Sequence, residues 1–149
     1  LTPSPAADGK YPKGTVVAII ANPSFGWEVA SSITPVTMDS DRSVNVVFTK
    51  MSPLRATENF NIGTGSGGWT VRLVPGQKVE GEFSSAGSDV FYNVRDPGGN
   101  IVVSKPEKSK SGSFTFISTQ SGTYAINFRS AGILTPSVIS LNLVVHYPD

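Results

Sequence analysis

Apolar and polar residues alternate with a period of two through much of the second half of the chain. The pattern is clearest in residues 89–95, where Val90, Tyr92 and Val94 share one face. The sequence Asp-Pro-Gly-Gly-Asn follows at residues 96–100, and a second apolar run covers residues 101–103. Because Pro presets φ and both Gly and Asn tolerate positive φ, this stretch predicts a strand, a tight turn and a second strand.

Other segments after residue 68 repeat this pattern, with turn residues between them and no helical period. The residues predicted to share the inner faces of these strands are Val71, Leu73, Val79, Gly81, Phe83, Phe114, Phe116, Tyr124, Ile126, Phe128, Ile139, Leu141, Leu143, Val145 and Tyr147. Evenly spaced, half-buried antiparallel strands predict an all-β fold, an antiparallel jelly-roll-like β-sandwich over residues 69–149.

The first half of the chain predicts a small β module that precedes the sandwich. β-branched and aromatic runs indicate strands over residues 15–20, from about 27, over 35–38 and over 43–48. The predicted organisation is a flexible N-terminal linker at 1–10, the small module at 11–50, a linker at 51–68 and the sandwich at 69–149. Within the second linker, the glycine-rich residues 63–68 are interpreted as a flexible loop, since they lack the Gly-Lys-Ser/Thr ending of a phosphate-binding loop.

Composition narrows the class of function. The formal net charge of +1 gives no electrostatic footprint for nucleic acid, and the Lys-containing residues 105–110 are interpreted as a solvated loop because Pro and Glu interrupt them. The absence of cysteine excludes disulfides, thiolate nucleophiles and cysteine-ligated metals. No apolar run approaches the length of roughly 20 residues that a membrane-spanning helix needs. The start of the chain, rich in Pro, Ala and Ser, suggests a linker that follows a removed signal or anchor, and hence a secreted or cell-surface protein of a bacterium.

The first half resembles a known family. The spacing of Tyr11, Gly14, Gly26 and Trp27, followed by Pro-Val-Thr-Met-Asp-Ser-Asp-Arg-Ser-Val at residues 35–44, resembles a divergent internalin-B-type B repeat of bacterial surface proteins. The resemblance covers about residues 10–49. It implies a small all-β surface module without enzymatic activity.

The second half resembles a different family. Residues 75–83, 89–99, 113–116, 121–128 and 141–145 together resemble the GOLD domain, the luminal β-sandwich of the emp24/p24 cargo receptors, and bacterial pre-peptidase C-terminal domains share part of the pattern. The resemblance covers about residues 70–148. It implies a sandwich that contacts a protein or a ligand, whereas the receptor role does not carry over, because the family's cysteine pair is absent.

Titratable residues do not form a recognisable catalytic or metal-binding pattern. His146 is the only histidine and is predicted on the outer face of the last strand, with no nucleophile signature elsewhere in the chain. Asp39 and Asp41 offer oxygens to Ca²⁺, but their segment lacks the Gly and distal Glu of an EF-hand and is interpreted as a hairpin turn. Glu80 and Glu82 share one face of a strand and are interpreted as solvated rather than as a glycosidase pair. We therefore predict no catalytic residues, no cofactor and no metal.

Four aromatic residues are the candidate ligand platform: Trp27, Trp69, Tyr11 and Phe25. Exposed aromatic rings can stack on sugars, and the competing interpretation is that Trp27 and Trp69 pack in the core. The predicted function is that of a non-enzymatic interaction module that binds a protein partner. The alternative is a carbohydrate-binding module, with any enzyme activity elsewhere in the full-length protein.

Overall fold

The structure, a computed structural model, describes residues 3–149 and divides into two compact units between Met51 and Ser52. These residues form twelve β-strands and no helix, so the predicted all-β class is confirmed. None of the described residues forms a helix long and apolar enough to cross a membrane. Of the predicted N-terminal linker, residues 1 and 2 lie outside the described residues, and residues 3–10 contain a turn in which the Gly9 amide donates to the Ala6 carbonyl.

The first unit contains two small antiparallel sheets. One pairs β1 (Thr15–Val17) with β3 (Val36–Met38), and the other pairs β2 (Trp27–Val29) with β4 (Phe48–Lys50). Val17 is the one buried hydrophobic residue among those described in this unit. A unit of this size that buries so little apolar surface has only a marginal core of its own.

Two predicted strands of the first unit are shorter than expected. The strand predicted over residues 15–20 ends at Val17, and the strand predicted over 43–48 begins only at Phe48. The reason is the length of the partners, because β3 and β2 each offer three residues for pairing. Within residues 3–149, no strand pairs with the β-branched residues beyond these positions.

The second unit contains eight strands. They are β5 (Leu54–Gly63), β6 (Ser66–Leu73), β7 (Lys78–Ala86), β8 (Val90–Arg95), β9 (Ile101–Ser109), β10 (Ser111–Ile117), β11 (Gly122–Ser130) and β12 (Ser137–His146). One four-stranded sheet has the order β10-β7-β12-β5, and the other has the order β6-β11-β8-β9. We call them the first sheet and the second sheet.

The strand order is that of a jelly roll. The chain pairs as four nested antiparallel pairs, β5 with β12, β6 with β11, β7 with β10 and β8 with β9. Successive nested pairs fall alternately in the first and second sheets, so the two sheets pack face to face as a double Greek key. The predicted jelly-roll-like sandwich is therefore confirmed.

The core lies between the two sheets and follows the predicted alternation, except that Tyr147, predicted to face inward, lies beyond the end of β12 and is only half-buried. Its buried residues are Ile62, Leu73, Val79, Phe83, Val90, Tyr92, Val94, Phe114, Phe116, Tyr124, Ile126, Phe128, Ile139, Leu141, Leu143 and Val145. Successive residues of a strand point to opposite faces, so burying every second residue leaves the intervening side chains on the two outer faces.

The hairpin predicted around residues 96–100 forms and joins β8 to β9. The Gly99 amide donates to the Asp96 carbonyl over 2.9 Å, and Gly99 has a φ of 84°, which favours glycine. The Asn100 amide donates to the Asp96 carboxylate over 2.8 Å. These bonds close the turn that joins β8 to β9. The Asn100 side-chain amide also donates to the Asp96 carboxylate over 3.0 Å, and this hydrogen bond is the main cause that lowers the pKa of Asp96.

The prediction of a linker over residues 51–68 is wrong for most of its length, because β5 and the start of β6 lie there. Gly67 and Gly68 are strand residues, and a side chain at either position would collide with its neighbours. A Cβ at Gly67 would lie 2.7 Å from Cγ2 of Ile62, and one at Gly68 would overlap the Ile126 carbonyl. These glycines permit close backbone approach rather than flexibility.

The prediction of a solvated loop over residues 105–110 is also wrong, because residues 105–109 belong to β9. The pairing of β9 with β8 shifts between Val90 and Tyr92, where the partners move from Ser109 to Lys105. Pro106 and Lys108 fall in this irregular stretch, at the edge of the second sheet. Proline, lysine and bulges are the features that keep an edge strand from pairing with another chain.

Candidate functional site

The outer face of the second sheet carries a concentration of arginine. Strands β6, β8 and β11 together contain three arginines and no acidic residue. Alternation places the arginines outward, together with a phenylalanine and two asparagines. We call this surface the arginine face and define it by Arg72, Phe91, Asn93, Arg95, Asn127 and Arg129.

The register of β8 and β11 sets the centre of the arginine face. Arg129 lies directly opposite Phe91, and Asn127 lies opposite Asn93. The guanidinium carbon of Arg129 lies 4.9 Å from the centroid of the Phe91 ring, which is a cation–π contact. The contact holds an arginine and a half-buried aromatic ring in fixed relation on an open surface.

Hydrogen bonds hold Asn93, Asn127 and Arg95 of the arginine face in place. The Asn127 side-chain amide donates to Asn93 Oδ1 over 3.2 Å, and Arg95 Nη1 donates to the Gly99 carbonyl over 2.7 Å. A shallow depression of about 600 Å³ lies over these side chains. The surface therefore presents positive charge and amide groups around one aromatic ring, and contacts hold five of its six side chains.

The outer face of the first sheet has a different character, with charges that balance. Glu80 accepts a hydrogen bond from Lys78 over 2.5 Å and pairs with His146 Nε2 at 2.8 Å. These two partners, Lys78 first, lower the pKa of the Glu80 carboxyl. His146 thus lies on the outer face as predicted, and its partner is a carboxylate rather than a nucleophile.

The contacts of Glu80 with Lys78 and His146 make a testable contribution to stability. Because the pKa of Glu80 is lower in the folded state, its stabilisation is fully present above the ordinary carboxyl pKa of 4.5 and is lost as the pH falls through the lowered value. The melting temperature of the wild type should therefore exceed that of Glu80→Gln at neutral pH, and the gap should close on acidification. Thermal unfolding followed by circular dichroism from about pH 7 to about pH 3 measures this.

Glu82→Gln is the matched control for that experiment. Glu82 is the next outward carboxyl on the same strand, and it has no ion pair among the described residues. Its substitution should leave the melting temperature at neutral pH close to that of the wild type, because it breaks neither the Lys78 nor the His146 contact of Glu80. If the difference in melting temperature between the wild type and Glu80→Gln persisted at the lowest pH, the carboxylate charge would not be the cause of that difference.

The four residues of the predicted platform lie in both units. Tyr11, Phe25 and Trp27 belong to the first unit, whereas Trp69 lies on β6 and packs, half-buried, against the core of the sandwich. Trp27 is 38% exposed and Phe25 is 57% exposed. Tyr11 is half-buried, and its hydroxyl has no hydrogen-bond partner within residues 3–149. Trp27 and Phe25 are thus the members that present a ring to solvent.

Of the two candidate calcium ligands, Asp39 and Asp41, Asp39 is engaged in a local ion pair. Arg42 donates to the Asp39 carboxylate over 2.7 Å, and this hydrogen bond lowers the pKa of Asp39. Within residues 3–149, no three His, Asp or Glu side chains come close enough to hold a metal ion.

Sequence reasoning missed the arginine face and one aromatic residue. The alternation places Phe91 and Arg95 outward, but the contact between Phe91 and Arg129 depends on the pairing of strands that are far apart in sequence. The missed aromatic residue is Phe48, which is 39% exposed. Its spacing from Val44 and Val46 predicts that these residues share one strand face, but it does not predict that Phe48 lies near Trp27.

The fold and its faces define the chain as a small β module joined to a jelly-roll sandwich. No protein-family model matches this sequence, and a search of curated proteins finds none that is similar. Among solved structures, the chain is similar to PliG, a periplasmic inhibitor of g-type lysozyme from Aeromonas hydrophila. The identity is 18% and the TM-score 0.44, over 64% of this chain and 87% of that one.

A second solved structure, from the Gx strain of infectious bursal disease virus, is similar with 11% identity and a TM-score of 0.32. That match covers 76% of this chain and 38% of the viral chain. At these identities and TM-scores, neither likeness bears on what this chain binds. The resemblances to B repeats and to GOLD domains stay predictions.

Proposed function

We propose that this chain is a non-enzymatic protein-interaction module, secreted or displayed at a bacterial cell surface, that binds an acidic surface of a partner protein through the arginine face. The observation that supports this proposal most directly is the cation–π contact between Arg129 and Phe91. It lies at the centre of a surface formed by β6, β8 and β11, and these three strands contain no acidic residue. The resemblance of residues 10–49 to surface-protein repeats supports the location.

The chemistry of the arginine face suits a protein partner. Arginine and aromatic residues dominate the energetic centres of protein interfaces, because they combine apolar area with several hydrogen bonds at modest entropic cost. Because Arg129 and Phe91 already contact each other in the free protein, binding loses little side-chain entropy at these two residues. Asn93 and Asn127 add donors and acceptors that can pair with backbone groups of the partner.

The three arginines form no ion pair among the described residues, which explains why the partner should be acidic. Charge complementarity accelerates encounter and penalises partners of like charge. The effect is local, since the chain as a whole carries a formal charge of only +1. Binding should therefore weaken as salt screens the arginines.

The test compares partner capture by three forms of the full chain. The first is the wild type, and the second is the double variant Phe91→Ala/Arg129→Ala. The third is the matched control Arg55→Ala/Ile117→Ala, which removes an arginine and an exposed apolar residue from the first sheet. Each is immobilised and exposed to proteins secreted by, or extracted from the surface of, the source bacterium.

The expected result is an acidic protein that is retained by the wild type and by the control but not by the Phe91→Ala/Arg129→Ala variant. With that protein purified, the double variant should bind at least about 30-fold more weakly, as expected for the loss of about 2 kcal/mol at an interface centre. Circular dichroism confirms that each variant is folded. Equal retention by all three forms would refute the assignment to this face.

A further inference from the structure

A second candidate binding surface lies wholly within the first unit. It is a shallow depression of about 290 Å³ lined by Asn22, Pro23, Ser24, Trp27 and Phe48. Pro23, Trp27 and Phe48 supply apolar surface, and Asn22, Ser24 and the indole N–H of Trp27 can form hydrogen bonds. We call it the Trp27 depression.

The pairing of β2 with β4 brings the two aromatic rings to one face. Trp27 lies opposite Lys50, and Val29 lies opposite Phe48, so Trp27 and Phe48 are diagonal neighbours. Diagonal neighbours on an antiparallel pair are about 7–8 Å apart, which aromatic side chains can bridge. Both rings remain more than one third exposed.

Backbone hydrogen bonds fix the loop beside the rings. The Trp27 amide donates to the Ser24 carbonyl over 3.0 Å, and the Met51 amide donates to the Gly26 carbonyl over 2.8 Å. Gly26 has a φ of 84°, which a residue with a side chain adopts only with strain. The turn that carries Asn22 and Ser24 is therefore held against β2 and β4, and the depression does not depend on a mobile segment.

We propose that the Trp27 depression binds a β-linked sugar with equatorial hydroxyls, such as a glucose or N-acetylglucosamine unit of a glycan. Such a ring presents axial C–H groups on its flat faces, and these suit the apolar faces of an indole and a phenyl ring. Its equatorial hydroxyls point outward in the ring plane, where the Asn22 amide and the Ser24 hydroxyl offer donors and acceptors. No charged side chain lines the depression, which favours a neutral ligand.

The size of the depression limits the ligand. Its volume of about 290 Å³ lies just below the usual range of ligand pockets, roughly 300–1,000 Å³, so it accommodates one or two sugar units of a chain. The site is independent of the arginine face, because the two surfaces share no residue and belong to different units. Carbohydrate binding, the alternative function predicted from the sequence, is thus assigned to Trp27 and Phe48. Trp69 takes no part in this site.

Calorimetric titration of the full chain with cellohexaose and with chitohexaose tests the proposal. We expect binding of at least one of the two sugars and weaker binding of the matching β-1,4-galactan oligomer, whose axial O4 interrupts the equatorial pattern. Trp27→Ala and Phe48→Ala should each weaken binding about tenfold or more, and Trp27→Phe should retain part of it.

Two control variants show whether sugar binding belongs to the Trp27 depression. Ile20→Ala removes an exposed apolar side chain of the same unit that does not line the depression, and it should bind like the wild type. Phe91→Ala/Arg129→Ala should also bind sugar normally, so failure of the protein-binding proposal and failure of this one remain distinguishable. No heat of binding for either hexasaccharide at millimolar concentration would overturn the proposal. So would binding that survives both Trp27→Ala and Phe48→Ala, and equal binding of the galactan would overturn the preference for equatorial hydroxyls.

Discussion

Phe128→Ala is expected to cost about 3–5 kcal/mol of the free energy of unfolding, the usual range for removing a buried aromatic ring. Phe128 is 1% exposed. Its ring centroid lies 5.0 Å from that of Phe83 and 5.9 Å from that of Phe60, both on the first sheet, and 6.2 Å from that of Tyr92 on the second. Alanine would leave a cavity where the two sheets meet, and these well-packed neighbours can collapse into it only in part.

Urea denaturation followed by circular dichroism measures this loss. Phe128→Leu retains part of the volume and should lose much less, whereas Ile133→Ala, at a position 87% exposed, should leave the midpoint unchanged. A loss below about 1 kcal/mol for Phe128→Ala would mean that the ring does not tie the sheets together.

Gly81→Ala is expected to destabilise the sandwich by about 1–3 kcal/mol, although alanine usually suits a strand better than glycine. Gly81 lies on the inner face of β7, opposite Phe114 on β10. The Phe114 ring occupies the space that a Cβ at position 81 would need. The ring cannot easily move aside, because it lies between the rings of Tyr92 and Phe116, with centroids at 5.7 and 6.5 Å.

Gly65→Ala provides the matched control for Gly81→Ala. At position 65 the nearest atom to an added Cβ is the Ile62 carbonyl oxygen, at an ordinary 3.6 Å. This variant should be neutral or slightly stabilised. Combining Gly81→Ala with Phe114→Leu should cost less than the sum of the two single changes, because the smaller side chain frees the space. Simple additivity would contradict the proposed overlap.

The alternation of residues predicts the sandwich well because its inner positions are large and apolar. In β8, β11 and β12 every second residue is buried, and nearly all of these are Val, Ile, Leu, Phe or Tyr. β5 escapes prediction because its inward positions include Ala56 and Glu58, which carry little hydrophobic signal. β5 gains its place from pairing with β12, a contact between residues about eighty positions apart.

The candidate sites are harder to predict than the fold. Tryptophan draws attention to position 69, but the ring packs inward because Trp69 lies opposite the buried Ile126. The Arg129–Phe91 contact joins residues whose proximity is set by strand register alone. Register depends on the whole pattern of the sheet, and no short motif encodes it.

The nested pairing of strands has a mechanical consequence. The outermost pair joins β5 and β12, the first and last strands of the sandwich, with Leu54 opposite Val145. Both strands therefore leave the sandwich at the same end. Tension applied through those two ends pulls the strands apart sideways and loads their hydrogen bonds one at a time, starting from Leu54 and Val145, instead of shearing the whole ladder at once. Under a pull of this direction the sandwich opens like a zipper, and its outermost pair yields before the rest of the fold is strained.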